Sequence, residues 1–394
     1  MMSAVLSNPD HPEYGVATIP FPVPHDQYEY CMKLLEALEI GDAVKADCKV
    51  EKIDSFYTVL KRTEMLPVNV EELNYLAKRL DSFDTGEAAQ FQAMAHKLEL
   101  FELKDLINLT FCCQQATVIT DFSDLAAIGR DHYMNLHGGS ASVDELNKLD
   151  GKGTARQLIE SGSGTVTPYG VVYDNGMKLE QVYDGRFFPC YYYEPNVITV
   201  AVTSKAEPED TEHITWLFLP MVQEEIDRAL LRGGITDPAD VRLRLEDSQL
   251  PNEVDVLLDM EYENLSDLNE LAEATVGLSK ADMEKLGAVV ILAEPKSAAQ
   301  IKNLAESLDL FDLAPGAHTP QDYGKYMIQQ SGRFEYDENL DAFYDYEKYG
   351  TERMNEEDGM FTDRGYIAYK GYYSMEEAMN GGQSNHMVLR GLSR

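Results

Sequence analysis

Basic residues are scarce in this chain. Among 394 residues there are 33 Lys and Arg against 69 Asp and Glu, a formal charge of −36 at pH 7. Such a surface repels phosphate, which excludes direct binding to DNA, RNA or anionic membranes as the main activity. It leaves open a partner that itself binds a polyanion. Long apolar runs are missing too, and nothing approaches the ~18 residues of a membrane-spanning helix. Residues 1–14 have neither the basic nor the apolar stretch of a secretory leader, so no signal peptide is expected. Cysteines number five, an odd count with irregular spacing and one adjacent pair, Cys112-Cys113. That usage reads as reduced thiols of a cytoplasmic protein rather than a disulfide framework. Composition excludes disorder: 44% of residues are hydrophobic and 10% aromatic, enough for several packed cores.

The motifs of catalysis are missing as well. Ser161-Gly162-Ser163-Gly164 is a turn without the third glycine of a dinucleotide site, and no P-loop occurs. No Cys-x-x-Cys or His-Glu-x-x-His spacing points to zinc. Asp337, Asn339 and Asp341 imitate the start of a calcium loop. Its sixth position is Ala342 instead of Gly and its twelfth is Lys348 instead of Glu, so the loop fails. Cys112-Cys113 with His132 as base would make a nucleophile, but the surrounding residues 106–119 are apolar and read as core. The residues therefore point to no enzyme, no cofactor and no metal.

What is present is self-similarity. Glu72-Leu73-Asn74-Tyr75-Leu76-Ala77 recurs as Asp267-Leu268-Asn269-Glu270-Leu271-Ala272, 195 residues later. Asn108-Leu109 recurs as Asn303-Leu304, Gly129-Arg130 as Gly324-Lys325, and the stretch 167–176 as 362–371, all at the same offset. Pro20-Phe21-Pro22 answers Phe218-Leu219-Pro220 at an offset near 198. A common offset over separate matches indicates a tandem duplication. Repeat cores fall at about residues 15–177 and 213–372. The expected division is 1–204 as the first unit, with extra strands over 178–203, then 205–212 as linker, 213–373 as the second unit and 374–394 as tail.

Within one unit the patterns predict a strand at 16–21, then a helix carrying Tyr28, Cys31, Leu35 and Leu38. Residues 43–60 read as largely extended. Asn69 is placed to cap a helix bearing Leu73, Leu76, Ala77 and Leu80, and three more helices follow to about Met134. A short helix at 154–160 precedes a hairpin over 165–173 that turns at Asp174-Asn175-Gly176. The expected fold is α+β, two tandem repeats, each an elongated series of small α+β, helical-bundle and small α+β subdomains.

Charge is uneven: residues 1–195 hold 30 acids and 16 bases, residues 196–394 hold 39 and 17. Density peaks at Glu335, Asp337, Glu338, Asp341, Asp345, Glu347, Glu352, Glu356, Glu357, Asp358 and Asp363, among six aromatic residues and only two bases. One reading is a solvated acidic face whose aromatics pack inward. The sharper one is a surface that imitates phosphates. B-DNA carries two charges per base pair, so −36 equals about 18 base pairs.

The segment 343–350, Phe-Tyr-Asp-Tyr-Glu-Lys-Tyr-Gly, followed by 359–367, Gly-Met-Phe-Thr-Asp-Arg-Gly-Tyr-Ile, resembles the C-terminal part of ArdA antirestriction proteins. Residues 303–316 and Asp322-Tyr323-Gly324-Lys325-Tyr326 are similar to the same family, as is 106–110 in the first unit. The first unit departs from it at 144–152, which lacks the Phe-Asp-Tyr-Glu core. The resemblance implies an elongated, acidic mimic of bent B-form DNA, usually dimeric, which occupies the DNA groove of type I restriction–modification enzymes without catalysis. It implies a bacterial cytoplasmic location and no direct contact with nucleic acid or membrane. Two units in one chain make either a covalent pseudo-dimer or a mimic that still forms a homodimer. The competing reading is an acidic adaptor or conjugation accessory protein that binds a basic protein.

Overall fold

Alternating burial and capped amphipathic helices build two compact units. The computed structural model describes residues 2–206 and 214–382. The first unit comprises Met1–Tyr193 with Glu224–Thr236. It opens on a sheet of order β2-β1-β3-β4, formed by β1 (Met2–Ser7), β2 (Val16–Phe21), β3 (Cys48–Asp54) and β4 (Pro67–Val68), all pairs antiparallel. Sequence patterns place β2 but not β1, although β1 is the central strand and buries Ala4 and Leu6. Helix α1 (Tyr28–Glu36) turns Tyr28, Cys31 and Leu35 inward, as their spacing predicts.

A helical layer follows. Asn69 caps α2 (Val70–Asp81), its Oδ1 accepting from the N–H groups of Glu71 and Glu72. Asp84 and Glu87 close a capping box on α3 (Thr85–Lys97), and α4 (Leu103–Leu109) is buried beside them. The last module holds β5 (Thr117–Ile119), α5 (Leu125–Leu136), α6 (Val143–Lys148), α7 (Gly151–Glu160), β6 (Thr165–Thr167) and β7 (Gly170–Tyr173), with sheet order β5-β7-β6.

Two expectations need correction. The hairpin turns at Pro168-Tyr169, between β6 and β7, not at Asp174-Asn175-Gly176. Thr167 Oγ1 bonds the Gly170 carbonyl across that turn at 2.8 Å, and Gly170 adopts φ 127°, open to glycine alone. Asn175 and Gly176 do form a left-handed turn, but it lies after β7. Residues 178–193 are not extra strands. They run irregularly over the helices, burying Tyr183, whose N–H and carbonyl bond the Asn108 side chain at 2.7 and 2.9 Å.

Helix α8 (Gln223–Arg232) completes the first unit. Its Arg232 is buried and donates to the carbonyls of Ala43, Gly185 and Arg186, to Asn69 Oδ1 and to the Tyr183 hydroxyl, with its guanidinium 4.5 Å over the Phe188 ring. Arg228 pairs with Glu71, which also accepts from the Tyr28 hydroxyl. Burial of Arg232 is thus compensated by a bond for every guanidinium N–H, and burial of Arg228 by its ion pair with Glu71.

The second unit comprises Glu194–Gln223 and Asp237–Arg394. Strand β8 (Ile198–Ser204) was expected with the first unit. It is instead the centre of a sheet β10-β8-β9 with β9 (Thr215–Leu219) and β10 (Val241–Ser248). Then come α9 (Asn252–Leu257), α10 (Leu265–Thr275), α11 (Lys280–Ala293) and α12 (Ala298–Ala305). The final module has β11 (Phe311–Pro315), α13 (Pro320–Gln329), α14 (Tyr346–Glu356), β12 (Asp358–Thr362) and β13 (Gly365–Tyr369), with sheet order β11-β13-β12. Helix α15 (Met375–Met379) follows; of the expected linker and tail, residues 207–212 and 383–394 lie outside the described residues.

The fold is α+β. Helices α10, α11, α12, α13 and α14 begin 195 residues after α2, α3, α4, α5 and α7, and β13 begins 195 after β7. Small details recur too, at 195 residues or, around the cis prolines, at 198. Asn74 Oδ1 accepts from Val23 N–H and Asn269 Oδ1 from Met221 N–H, both at 2.8 Å, after cis Pro22 and cis Pro220. Glu51 is the extra residue of a bulge facing β1, and Glu246 of one facing β8; each accepts from the base two residues before it, Lys49 and Arg244. Among the described residues no helix is long and apolar enough to cross a membrane.

Candidate partner-binding surface

The acid-rich segment lies in the final module, and two glycines position it. A Cβ on Gly350 of α14 would stand 1.8 Å from the Pro320 carbonyl, and one on Gly324 of α13 would stand 2.0 Å from the Tyr346 carbonyl. The two helices therefore cross with their backbones in contact. Tyr323, Met327, Ala314, Tyr366 and Ala368 fill the core between helices and sheet. With Tyr346 and Gly350 turned inward, helical phase sends Glu347, Glu352 and Glu356 outward.

Ten of the eleven predicted carboxylates are on exposed residues: Glu335, Asp337, Glu338, Asp341, Asp345, Glu347, Glu352, Glu356, Asp358 and Asp363. Several are held in place. Asp345 caps α14 by accepting from Lys348 N–H at 3.1 Å, and Asp337 accepts from Asn339 N–H at 2.9 Å. Asp341 accepts from the hydroxyls of Tyr336 and Tyr346 and from Gln329, which holds its carboxyl below the ordinary range. The calcium-loop imitation therefore spends its third ligand position, Asp341, on protein donors. Glu352 and Glu356 sit beside Lys348 and Arg353 at 4.0 and 3.3 Å. Among the described residues, no lysine or arginine pairs with Glu335, Asp337, Glu338, Glu347, Asp358 or Asp363.

Glu357 differs from the other ten. Its side chain is 4% exposed, bonded by Lys370 Nζ at 2.6 Å, by the Tyr323 hydroxyl at 2.6 Å and by Arg353. Burial pushes its pKa up, but those donors and the two cations outweigh burial and hold it below the ordinary range. This charge is consumed within the fold. The aromatics of the stretch divide as well: Tyr346 is buried, whereas Phe343 is 83% and Phe334 50% exposed. Those two surface rings lie in the acid-rich stretch and do not pack inward as the solvated-face reading expects.

At the turn between β12 and β13, Arg364 makes a two-pronged pair with Glu253, both bonds 2.8 Å, and also bonds Glu284. It lies across α11 at Gly287, where a Cβ would meet its Nε at 2.3 Å. This clamp ties the acid-bearing module to the helical layer within the second unit.

Among the hydrogen bonds of the described residues, none joins Cys112 or Cys113 to His132; the Cys112 thiol points to the carbonyls of Asn108 and Leu109. Cys112 and Cys113 are buried, and burial pushes both thiols up. His132 Nδ1 bonds Thr117 Oγ1 at 2.9 Å instead. Among the described residues no group of three or more His, Cys, Asp or Glu could hold a metal ion.

Residues 211–368 match the family model of the antirestriction protein ArdA. The ArdA match contains β9 through most of β13, and with them all eleven predicted carboxylates. Residues 1–210 lie outside it. The ArdA resemblance of the second half is thereby borne out. No curated protein matches the chain.

Proposed function

We propose that this protein is a non-enzymatic, acidic DNA mimic that inhibits type I restriction–modification enzymes in the cytoplasm of a bacterial host by occupying their DNA-binding groove. The observation that carries the reading is the ArdA match over residues 211–368. It is supported by the ten exposed carboxylates of the same stretch, several held by caps and tyrosine hydroxyls. Fixed carboxylates meet the Lys and Arg that would otherwise grip phosphates, and ordering achieved in advance lowers the cost of binding. Elements recurring at one spacing support a chain built by tandem duplication, a covalent pseudo-dimer of the ArdA-like unit. In this reading the second unit carries the antirestriction surface.

The test is displacement of a labelled cognate duplex from a purified type I restriction enzyme. Stoichiometric displacement that fades as salt rises is expected. No displacement from several such enzymes at low salt would overturn the proposal and favour an adaptor for a basic protein.

A further inference from the structure

We infer that Leu340 and Phe343 form an apolar anchor that seats in a recess of the partner's basic DNA-binding groove, between the cationic side chains that would otherwise grip phosphates. The inference rests on the antirestriction reading and adds to it a contact that a row of phosphates cannot supply.

Both residues lie on a short 3₁₀ helix, Glu338–Phe343, between α13 and α14. At about three residues per turn, side chains three apart stand one above the other. Leu340 and Phe343 therefore make a single stripe, and both are exposed. The helix beneath them is pinned. Asp337 Oδ1 accepts from Asn339 N–H at 2.9 Å, and the Asp337 carbonyl from Leu340 N–H at 2.9 Å. Asp341, on the adjacent stripe, accepts from the Tyr336 and Tyr346 hydroxyls at 2.7 and 2.6 Å and from Gln329 at 2.8 Å. Gln329 belongs to α13 and Tyr346 to α14, so these bonds tie one face of the short helix to the module and leave the apolar stripe to solvent.

The surroundings select the occupant. Glu335, Glu338 and Glu347 flank the stripe in sequence, all exposed, and among the described residues no lysine or arginine pairs with them. An apolar stripe framed by such carboxylates complements a cationic protein surface and repels an anionic membrane. A solitary exposed apolar side chain is ordinary. Two on one face of a pinned helix meet a partner without further ordering, and buried aromatic anchors carry much of the energy of protein interfaces. The first unit has no counterpart. Its helix α6 (Val143–Lys148) begins 195 residues earlier, where Glu145 and Lys148 stand for Leu340 and Phe343. The stripe thus belongs to the unit that carries the ArdA match.

The test is direct binding of the labelled full chain to a purified type I restriction enzyme, followed by fluorescence anisotropy from about 50 to about 200 mM sodium chloride. Cognate duplex added to the complex should release the parent chain. Leu340→Ser with Phe343→Ser should weaken binding about tenfold at every salt concentration and leave the slope of log Kd against log salt unchanged, because no ion pair is lost. Phe343→Leu, which keeps an apolar group, should stay within about threefold of the parent. Thermal melts of the variants should match the parent, since both side chains are exposed. A double variant that binds as the parent does, a loss accompanied by a changed salt slope, or a Phe343→Leu loss equal to that of serine would overturn the inference and leave the antirestriction reading standing. A parent that does not bind, or that duplex does not release, would overturn both. Sedimentation of parent and double variant covers the remaining occupant: self-association lost on substitution would assign the stripe to a second copy of the chain and overturn the inference.

Discussion

A carboxylate enclosed by two cations answers to pH differently from one in water. Glu357 has a pKa below its ordinary value of 4.5 because Lys370, Tyr323 and Arg353 hold the ionised form against the cost of burial. The folded state therefore binds this proton less readily than the unfolded state. Its contribution to stability is complete above pH 4.5 and is lost as pH falls through the lower folded value. Glu357→Gln should cost about 2 kcal/mol at pH 7, since Lys370 and Arg353 lose their partner. Urea midpoints measured from pH 6 down to 3 should then fall less steeply in the variant than in the parent. Equal slopes would mean that Glu357 is not ionised by its neighbours. At this scale the sequence located the acids but not their roles. Charge density singles out the stretch 335–363, whereas the fate of one carboxylate depends on Lys370 and Tyr323, which no local pattern joins to it.

Among the elements, the crossing of α13 and α14 decides how the acids are displayed. Gly324 and Gly350 allow the two backbones to touch, as Gly129 and Gly151 do for α5 and α7, where a Cβ on Gly129 would stand 1.8 Å from the Gly151 carbonyl. Gly350→Ala should force the helices apart and destabilise this module by about 3 kcal/mol, the upper range for overpacking. It changes no charge. If a rigid display of carboxylates matters, it should also weaken displacement of DNA from a restriction enzyme by at least about tenfold. A thermal melt alongside the displacement assay checks both effects, and full activity in a destabilised variant would sink the rigid-display idea. Helices were legible because caps and apolar spacing are local: Asn69 and its helix follow directly from sequence. Sheet membership was not. Strand β8 reads as a strand but finds its partners at β9 and β10 on its C-terminal side, and β1 lacks a clear apolar–polar alternation, although Asn8-Pro9-Asp10 turns the chain just after it. The turn at 174–176 has the expected residues and left-handed geometry, yet the hairpin closes earlier because Gly170 accommodates the tight return.

For the whole molecule the question is whether −36 acts as a cloud or as a pattern. A cloud raises association with any basic partner, and removing charge anywhere weakens it alike. A pattern makes position matter. Helix α14 and the segment made of α1 and the turn after it offer a matched comparison, since each carries three exposed glutamates: Glu347, Glu352 and Glu356 on one, Glu29 and Glu36 of α1 with Glu39 of the turn on the other. Either triple substitution to Gln removes the same charge. If the second unit presents phosphate-like contacts, the α14 triple should lose about tenfold in displacing DNA from a type I restriction enzyme near physiological salt and should flatten the salt dependence. The α1 triple should lose no more than about twofold, the effect expected of a charge that makes no contact with the partner and acts only through a field screened by salt. Equal losses would favour the cloud, and with it an acidic adaptor rather than a DNA mimic. A larger loss from α1 would move the binding surface to the first unit, outside the ArdA match, and would make the lower charge of residues 1–195 irrelevant to where the partner sits.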